Sequence, residues 1–128
     1  MSKVVLDSSV ILAVIHRERG SDKITPELLA ESAVSTVNLA EVQSKLVTSG
    51  WPPEAAWEDA TSTTGDILPF TPEQAKTAGS LISATRPLGL SLGDRACLAL
   101  ALSLNAPVYT ADRSWKNLKV GVRIHVIR

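Results

Sequence analysis

Five short strand-like segments, each followed by a turn or a helix start, constrain this chain more than any other feature. They are Lys3 to Leu6 (KVVL), Ala33 to Thr36 (AVST), Ile67 to Phe70 (ILPF), Pro107 to Thr110 (PVYT) and Arg123 to Ile127 (RIHVI), all rich in β-branched or aromatic residues. Between them lie stretches with helical chemistry. Ser8 or Ser9 opens an apolar helix to about His16. Thr25-Pro26-Glu27 and Thr71-Pro72-Glu73 each supply an N-cap, a proline at the first helical position and an acid in the first turn. They predict a short helix to about Ser32 and a longer one to about Thr85. Leu39, Val42, Leu46 and Val47 recur at helical spacing up to Gly50, a C-terminal stop, and Pro53 opens a further helix carrying Ala55, Ala56, Trp57 and Ala60. Asp94 to Leu104 is apolar nearly all round, which predicts a central, buried helix. Arg17 to Lys23 and Arg86 to Gly93 read as loops. Strands alternating with helices predict an α/β fold, a parallel five-stranded sheet covered on both faces.

The chain has 128 residues, which predicts one domain, 1–128, with one substantial core. Thirteen basic residues balance thirteen acidic ones, so nucleic-acid binding by bulk charge is excluded and any such binding needs a local patch or a metal. The single cysteine, Cys97, rules out an internal disulfide and a Cys-based zinc site, and it suits a reducing compartment. Lys3 and the apolar residues after it faintly mimic a secretory signal. Asp7 interrupts that run, no small-residue cleavage pattern follows, and no apolar run reaches the roughly 20 residues of a membrane span. The expected location is the cytoplasm, with no membrane partner.

The stretch VVLDSSVILAV places one carboxylate, Asp7, in the most apolar part of the chain. An isolated charge there is expensive unless it is paired, hydrogen-bonded or bound to a metal. Three further acids occupy comparable junctions. Glu41 lies near the start of the helix after the second strand, Asp94 starts the buried helix, and Asp112 follows the fourth strand in VYTAD. Strand C-termini of a parallel sheet share one edge, where ligands bind at the point of strand-order reversal. Each acid also has a structural reading as a cap: Asp7 at the first helix, Asn38-x-x-Glu41 and Ser91-x-x-Asp94 at capping-box spacing, and Asp112 at a turn. Capping, however, does not require four acids in apolar surroundings. Converging carboxylates repel, with raised pKa values, unless a cation holds them, and an all-oxygen donor set selects Mg²⁺ or Mn²⁺. Such an ion suits phosphodiester hydrolysis by an activated water.

The order VVLDSS, VNLAEV, LSLGDRACLALA, VYTAD resembles the PIN-domain nucleases, especially the short VapC toxins of toxin–antitoxin modules, over nearly the whole chain. By this resemblance Asp7, Glu41, Asp94 and Asp112 form the catalytic and metal-holding quartet. Thr110 matches a hydroxyl residue that lines the pocket, and Ser9 matches a small polar residue near the first acid. The resemblance further implies a three-layer α/β/α sandwich with strand order 3-2-1-4-5, cleavage of RNA, a homodimer, and a complex with an antitoxin of the VapB type whose C-terminal segment presents an arginine to the acids.

Other residues carry weaker signals. Arg95, Arg113 and Lys116 flank the third and fourth acids and read either as phosphate contacts or as solvated charges. Cys97 reads as a small core residue. Trp51, Trp57 and Trp115 read as core or rim packing, with stacking on bases or on a partner as the other possibility. Leu28, Leu29, Leu46 and Trp57 either pack internally or form an exposed apolar strip for a partner. His16 and His125 fall in no metal-ligand pattern. Three other functions remain in view: a PIN-like module that binds RNA or protein without cutting, metal-dependent cleavage of DNA, since nothing in the sequence reads a 2′-hydroxyl, and a receiver-type phosphoacceptor. The last needs an acid ending the third strand, which here reads ILPF, and a lysine after the fifth, which reads IHVIR.

Overall fold

The computed structural model describes residues 3–128. Five parallel strands, β1 (Val4–Leu6), β2 (Ser32–Ser35), β3 (Asp66–Leu68), β4 (Val108–Thr110) and β5 (Ile124–Val126), form one sheet in the order β3-β2-β1-β4-β5. Among the described residues seven α-helices connect them: α1 (Ser8–His16), α2 (Pro26–Ala30), α3 (Thr36–Thr48), α4 (Pro53–Ser62), α5 (Pro72–Ser80), α6 (Ile82–Thr85) and α7 (Leu92–Leu104). Receiver domains place their third strand beside the first. Here β4 takes that place and β3 is an edge strand, so the receiver reading fails on topology.

Side chains alternate across β1, which explains why a three-residue strand is apolar throughout. Leu6 joins Val10, Ile11, Val34, Leu39, Val42 and Leu46 on the face covered by α1, α3 and α4. Val5 joins Ala33, Leu98, Leu100, Val108 and Trp115 on the face covered by α7, against which α5 packs. With both faces buried, a central parallel strand has no polar side to show. Leu46 is fully buried and Leu28 and Leu29 pack against the first cluster, so of the four candidates for an apolar strip only Trp57 on α4 is exposed, at 44%. Among the described residues no helix is long and apolar enough to cross a membrane.

The boundaries depart from expectation where local chemistry overrides pattern. Ser35 caps α3 by accepting the Val37 N–H, so Thr36 is helical and β2 ends at Ser35; at its other end β2 takes in Ser32, which pairs with Val4 of β1. β3 ends at Leu68, because Pro69 has no N–H for a ladder. Thr71 caps α5 as expected, yet the helix breaks at Leu81 instead of running to Thr85. Gly79 and Ser80 precede the break. Both are weak helix formers, and the Ser80 hydroxyl donates to the Lys76 carbonyl. Short 3₁₀ turns occupy Ser21–Lys23 and Arg86–Leu88 in the two expected loops.

Gly20 ties the first of these loops to the far edge of the sheet. Its φ is 92°, and a Cβ there would run into the Ile127 carbonyl. Gly20→Ala combines left-handed strain with a backbone clash and is expected to destabilise by about 1–3 kcal/mol. Urea denaturation checks this, and an unchanged midpoint would refute it.

Candidate active site

The carboxyl ends of β1 and β4 lie side by side, with Val5 paired to Val108 and Leu6 to Tyr109, and Asp7 and Asp112 leave this edge together. Asp7 takes the N-cap position of α1, yet its side chain makes no cap bond. Instead Oδ2 accepts from the Ser9 hydroxyl at 2.6 Å and from the Thr110 hydroxyl at 3.0 Å. The carboxylate is only 2% exposed, and Oδ1 is buried without a partner. Burial raises the Asp7 pKa from 3.8 to about 6. The Ser9 hydrogen bond opposes this, Asp94 adds to it, and Thr110 and Glu41 follow with smaller effects of opposite sign. Asp7, Glu41 and Asp94 therefore share one electrostatic neighbourhood. The buried Cys97 thiol lies within it too: burial pushes its pKa up, and the three carboxylates push the same way.

Ser9 and Thr110 hold Asp7 and also fasten the β4 end to it. The Ser9 hydroxyl accepts the Ala111 N–H at 2.9 Å, and the Thr110 hydroxyl accepts the Asp112 N–H at 3.1 Å. Thr110 is fully buried, and its hydroxyl faces Asp7. Ser9 also borders an open cleft of about 510 Å³ shared with Leu12, His16, Lys45, Thr48 and Arg128.

The other three acids are each held where they stand. Asp94 completes a capping box: its Oδ2 accepts the Ser91 N–H at 2.9 Å, while Ser91 Oγ accepts the Asp94 N–H at 3.2 Å. That box starts α7 at Leu92, two residues before the expected start. Asp112 is exposed and caps the 3₁₀ turn Arg113–Asn117, its Oδ1 accepting the Ser114 N–H at 2.9 Å. Glu41 lies in the second turn of α3, where Oε1 accepts from the Asn38 amide at 2.9 Å. The capping box that the Asn38-x-x-Glu41 spacing allows is not formed, because Ser35 already caps the helix three residues earlier. Among the described residues no three Asp, Glu, His or Cys side chains converge closely enough to make a ready-made ion cage.

The basic residues turn elsewhere. Arg95 Nη1 donates to the Ala78 carbonyl of α5 at 2.9 Å, and Arg113 Nε donates to the Arg128 carbonyl at 3.2 Å. Arg113 and Lys116 are exposed and line an open basic pocket with His125 and Arg128. His125 stacks on Tyr109 and His16 meets Trp51 edge-on. Trp115 is fully buried and Trp51 partly so. Two contributors had no functional reading in sequence. Asn38 bridges Glu41 to the Gly93 carbonyl, and Gly93 leaves the space that the Glu41 carboxylate fills.

A buried carboxylate at the strand-order switch of a three-layer α/β/α sheet, in the field of Asp94 from the first turn of α7 and Glu41 from the second turn of α3, defines an acidic-edge α/β protein. Residues 4–121 match the PIN domain, and the chain belongs to that family. No curated protein shows significant sequence similarity to it. Among solved structures it is similar to a chain of DNA-bound VapBC from Salmonella typhimurium (TM-score 0.76, 17% identity, 100% of each chain covered). It is also similar to VapBC-5 of Mycobacterium tuberculosis, of the VapBC family of toxin–antitoxin systems (TM-score 0.64, 21% identity, 100% of this chain and 99% of that one). A third is M. tuberculosis VapC20, a sarcin-ricin-loop-cleaving toxin (TM-score 0.74, 16% identity, 94% of this chain and 99% of that one).

Proposed function

We propose that this chain acts as a single PIN-like domain: a Mg²⁺- or Mn²⁺-dependent endoribonuclease, the cytoplasmic toxin of a toxin–antitoxin module. The observation that carries the reading is Asp7: a nearly inaccessible carboxylate with one oxygen unpartnered, in the field of Glu41 and Asp94. Hydroxyls alone would satisfy a structural aspartate, whereas a buried oxygen lone pair among other negative charges suits a hard cation. Mg²⁺ keeps several waters and takes only one or two protein carboxylates, so a closed three-acid cage is not required. Asp7 would hold the ion, with Asp94, Glu41 and Asp112 as further direct or water-mediated ligands. The bound ion would supply charge stabilisation at the phosphate and an activated water. Ser9 and Thr110 fix Asp7 through Oδ2, which leaves Oδ1 as the free donor atom. Exposed Arg113 would meet backbone phosphates beside Asp112; Arg95, beside Asp94, would reach a phosphate only by releasing its hydrogen bond to the Ala78 carbonyl. The structural likeness to VapC20 supports RNA as substrate. The likeness to VapBC complexes supports an antitoxin of the VapB type as partner, and the homodimer rests on the motif resemblance alone.

A second reading, a PIN-like module that binds without cutting, draws on the caps: Asp94 and Asp112 both have structural employment. One substitution separates the two. Asp94→Asn removes the charge but keeps an oxygen for the Ser91 N–H, so the fold survives. Structured RNAs incubated with the protein should be cut only with Mg²⁺ or Mn²⁺. Asp94→Asn should slow cutting about a hundredfold or more, the scale of several kcal/mol of charge stabilisation. Cutting by Asp94→Asn at the wild-type rate would hand Asp94 to the capping role, and metal-independent binding without cleavage would favour the silent module.

A further inference from the structure

The geometry points to Asn38 and Gly93 as positioning residues for Glu41: together they clamp its carboxylate over the first turn of α7, beside Asp94. The inference rests on the reading of Asp7, Glu41 and Asp94 as an ion site, and it assigns the parts that hold one wall of that site.

Asn38 is fully buried where α3 packs on α7. Its Nδ2 donates twice, to Glu41 Oε1 at 2.9 Å and to the Gly93 carbonyl at 2.9 Å. Both partners are pure acceptors, so the amide has one workable orientation; flipped, its oxygen would face two oxygens. The same orientation leaves Oδ1 buried without a partner. A leucine would join two helices without that orphan. What the amide adds is a pair of donors that fixes a carboxylate relative to a second helix.

Gly93 makes room for that carboxylate. A Cβ at Gly93 would lie 2.6 Å from Glu41 Oε1, and closer still to Oε2. The atoms it meets are the movable end of the Glu41 side chain, and Gly93 shows no positive φ. An alanine can therefore be accommodated if Glu41 swings away, and it improves the helix propensity of α7. Gly93→Ala thus separates folding from positioning: the chain folds at least as well, and Glu41 leaves its place.

The test is a double-mutant cycle of Gly93→Ala with Glu41→Ala, read by Mn²⁺ titration calorimetry and by melting of the metal-free proteins. Gly93→Ala should weaken Mn²⁺ binding roughly 10- to 100-fold, as loss of an outer-shell support does. It should weaken it no further when Glu41→Ala is already present. In the metal-free melts, Gly93→Ala should raise Tm more in the Glu41→Ala background than in wild type, because only wild type has a carboxylate to evict. Asn38→Leu should show the same dependence on Glu41 in Mn²⁺ affinity. Equal effects of Gly93→Ala in both backgrounds, in affinity and in Tm, would overturn the clamp. A wild-type chain that binds no Mn²⁺ would overturn the ion-site reading instead, and the metal-free melts would then decide the clamp alone.

Discussion

Asp7→Asn is expected to abolish metal-dependent cleavage and to remove a pH dependence from the stability of the metal-free protein. The folded chain holds the Asp7 proton up to about pH 6, whereas the unfolded chain releases it near the ordinary carboxyl value of 3.8. A raised folded pKa means that the native state binds the extra proton between these limits, so its stability falls as pH rises through that window and is level above it. The loss is about 3 kcal/mol for a group this deeply buried. Asparagine at position 7 does not titrate. Any pH-independent penalty of its amide shifts the whole curve without bending it, so the variant's stability minus that of wild type should rise by about 2.5 kcal/mol from pH 4 to pH 7, the first part of the loss lying below pH 4. Mg²⁺ at pH 7.5 should raise the Tm of wild type, since an ion that binds only the folded state stabilises it, and should leave Asp7→Asn nearly unmoved. Parallel pH–stability curves for the two proteins would show that Asp7 is not held in the raised state, and undiminished cleavage by Asp7→Asn would remove it from the site.

The features legible in sequence were those decided within a few residues. Thr25 and Thr71 start helices because cap, proline and acid lie within three positions, and both caps form as expected. The Ser91-x-x-Asp94 box forms for the same reason. The burial of Asp7 was legible from its aliphatic neighbours, since few sheet positions other than the centre suit VVLDSSVILAV. Asn38-x-x-Glu41 shows where local reasoning ends. Ser35 and Asn38 are both good N-caps, and which one starts α3 depends on how far β2 runs beside β1, where Ala33 pairs with Val5. Once Ser35 is the cap, Asn38 is free to reach across to α7, a contact 55 residues away in sequence that no spacing rule encodes. Gly93 was invisible for the same reason, because nothing within α7 requires a glycine there. Likewise Ser9 and Thr110 stand out in sequence as hydroxyls near acids, but only the β1–β4 pairing shows that both serve one oxygen of Asp7.

Trp115→Ala should cause the largest loss of stability of any substitution considered. Stacking on bases and core packing were both open to this residue in sequence, and the fold assigns it to the core: Trp115 is fully buried, in a cluster with Val5, Leu98 and Val108. It sits in the 3₁₀ turn that Asp112 caps, and it is the only buried residue of that turn. One side chain thus pins the segment carrying the fourth acid onto the sheet. Truncating a buried tryptophan to alanine costs about 3–5 kcal/mol, roughly 10–20 °C in Tm for a chain of this size. Trp115→Phe should recover much of this, since it refills most of the volume and removes an indole N–H that has no partner. Trp57→Ala, at a half-exposed position on α4, should cost under about 1 kcal/mol. Thermal melts of the three variants side by side decide the matter. If Trp115→Ala melted within a degree or two of wild type, the turn would not be anchored by its tryptophan, and the placement of Asp112 beside Thr110 would have to rest on the backbone alone.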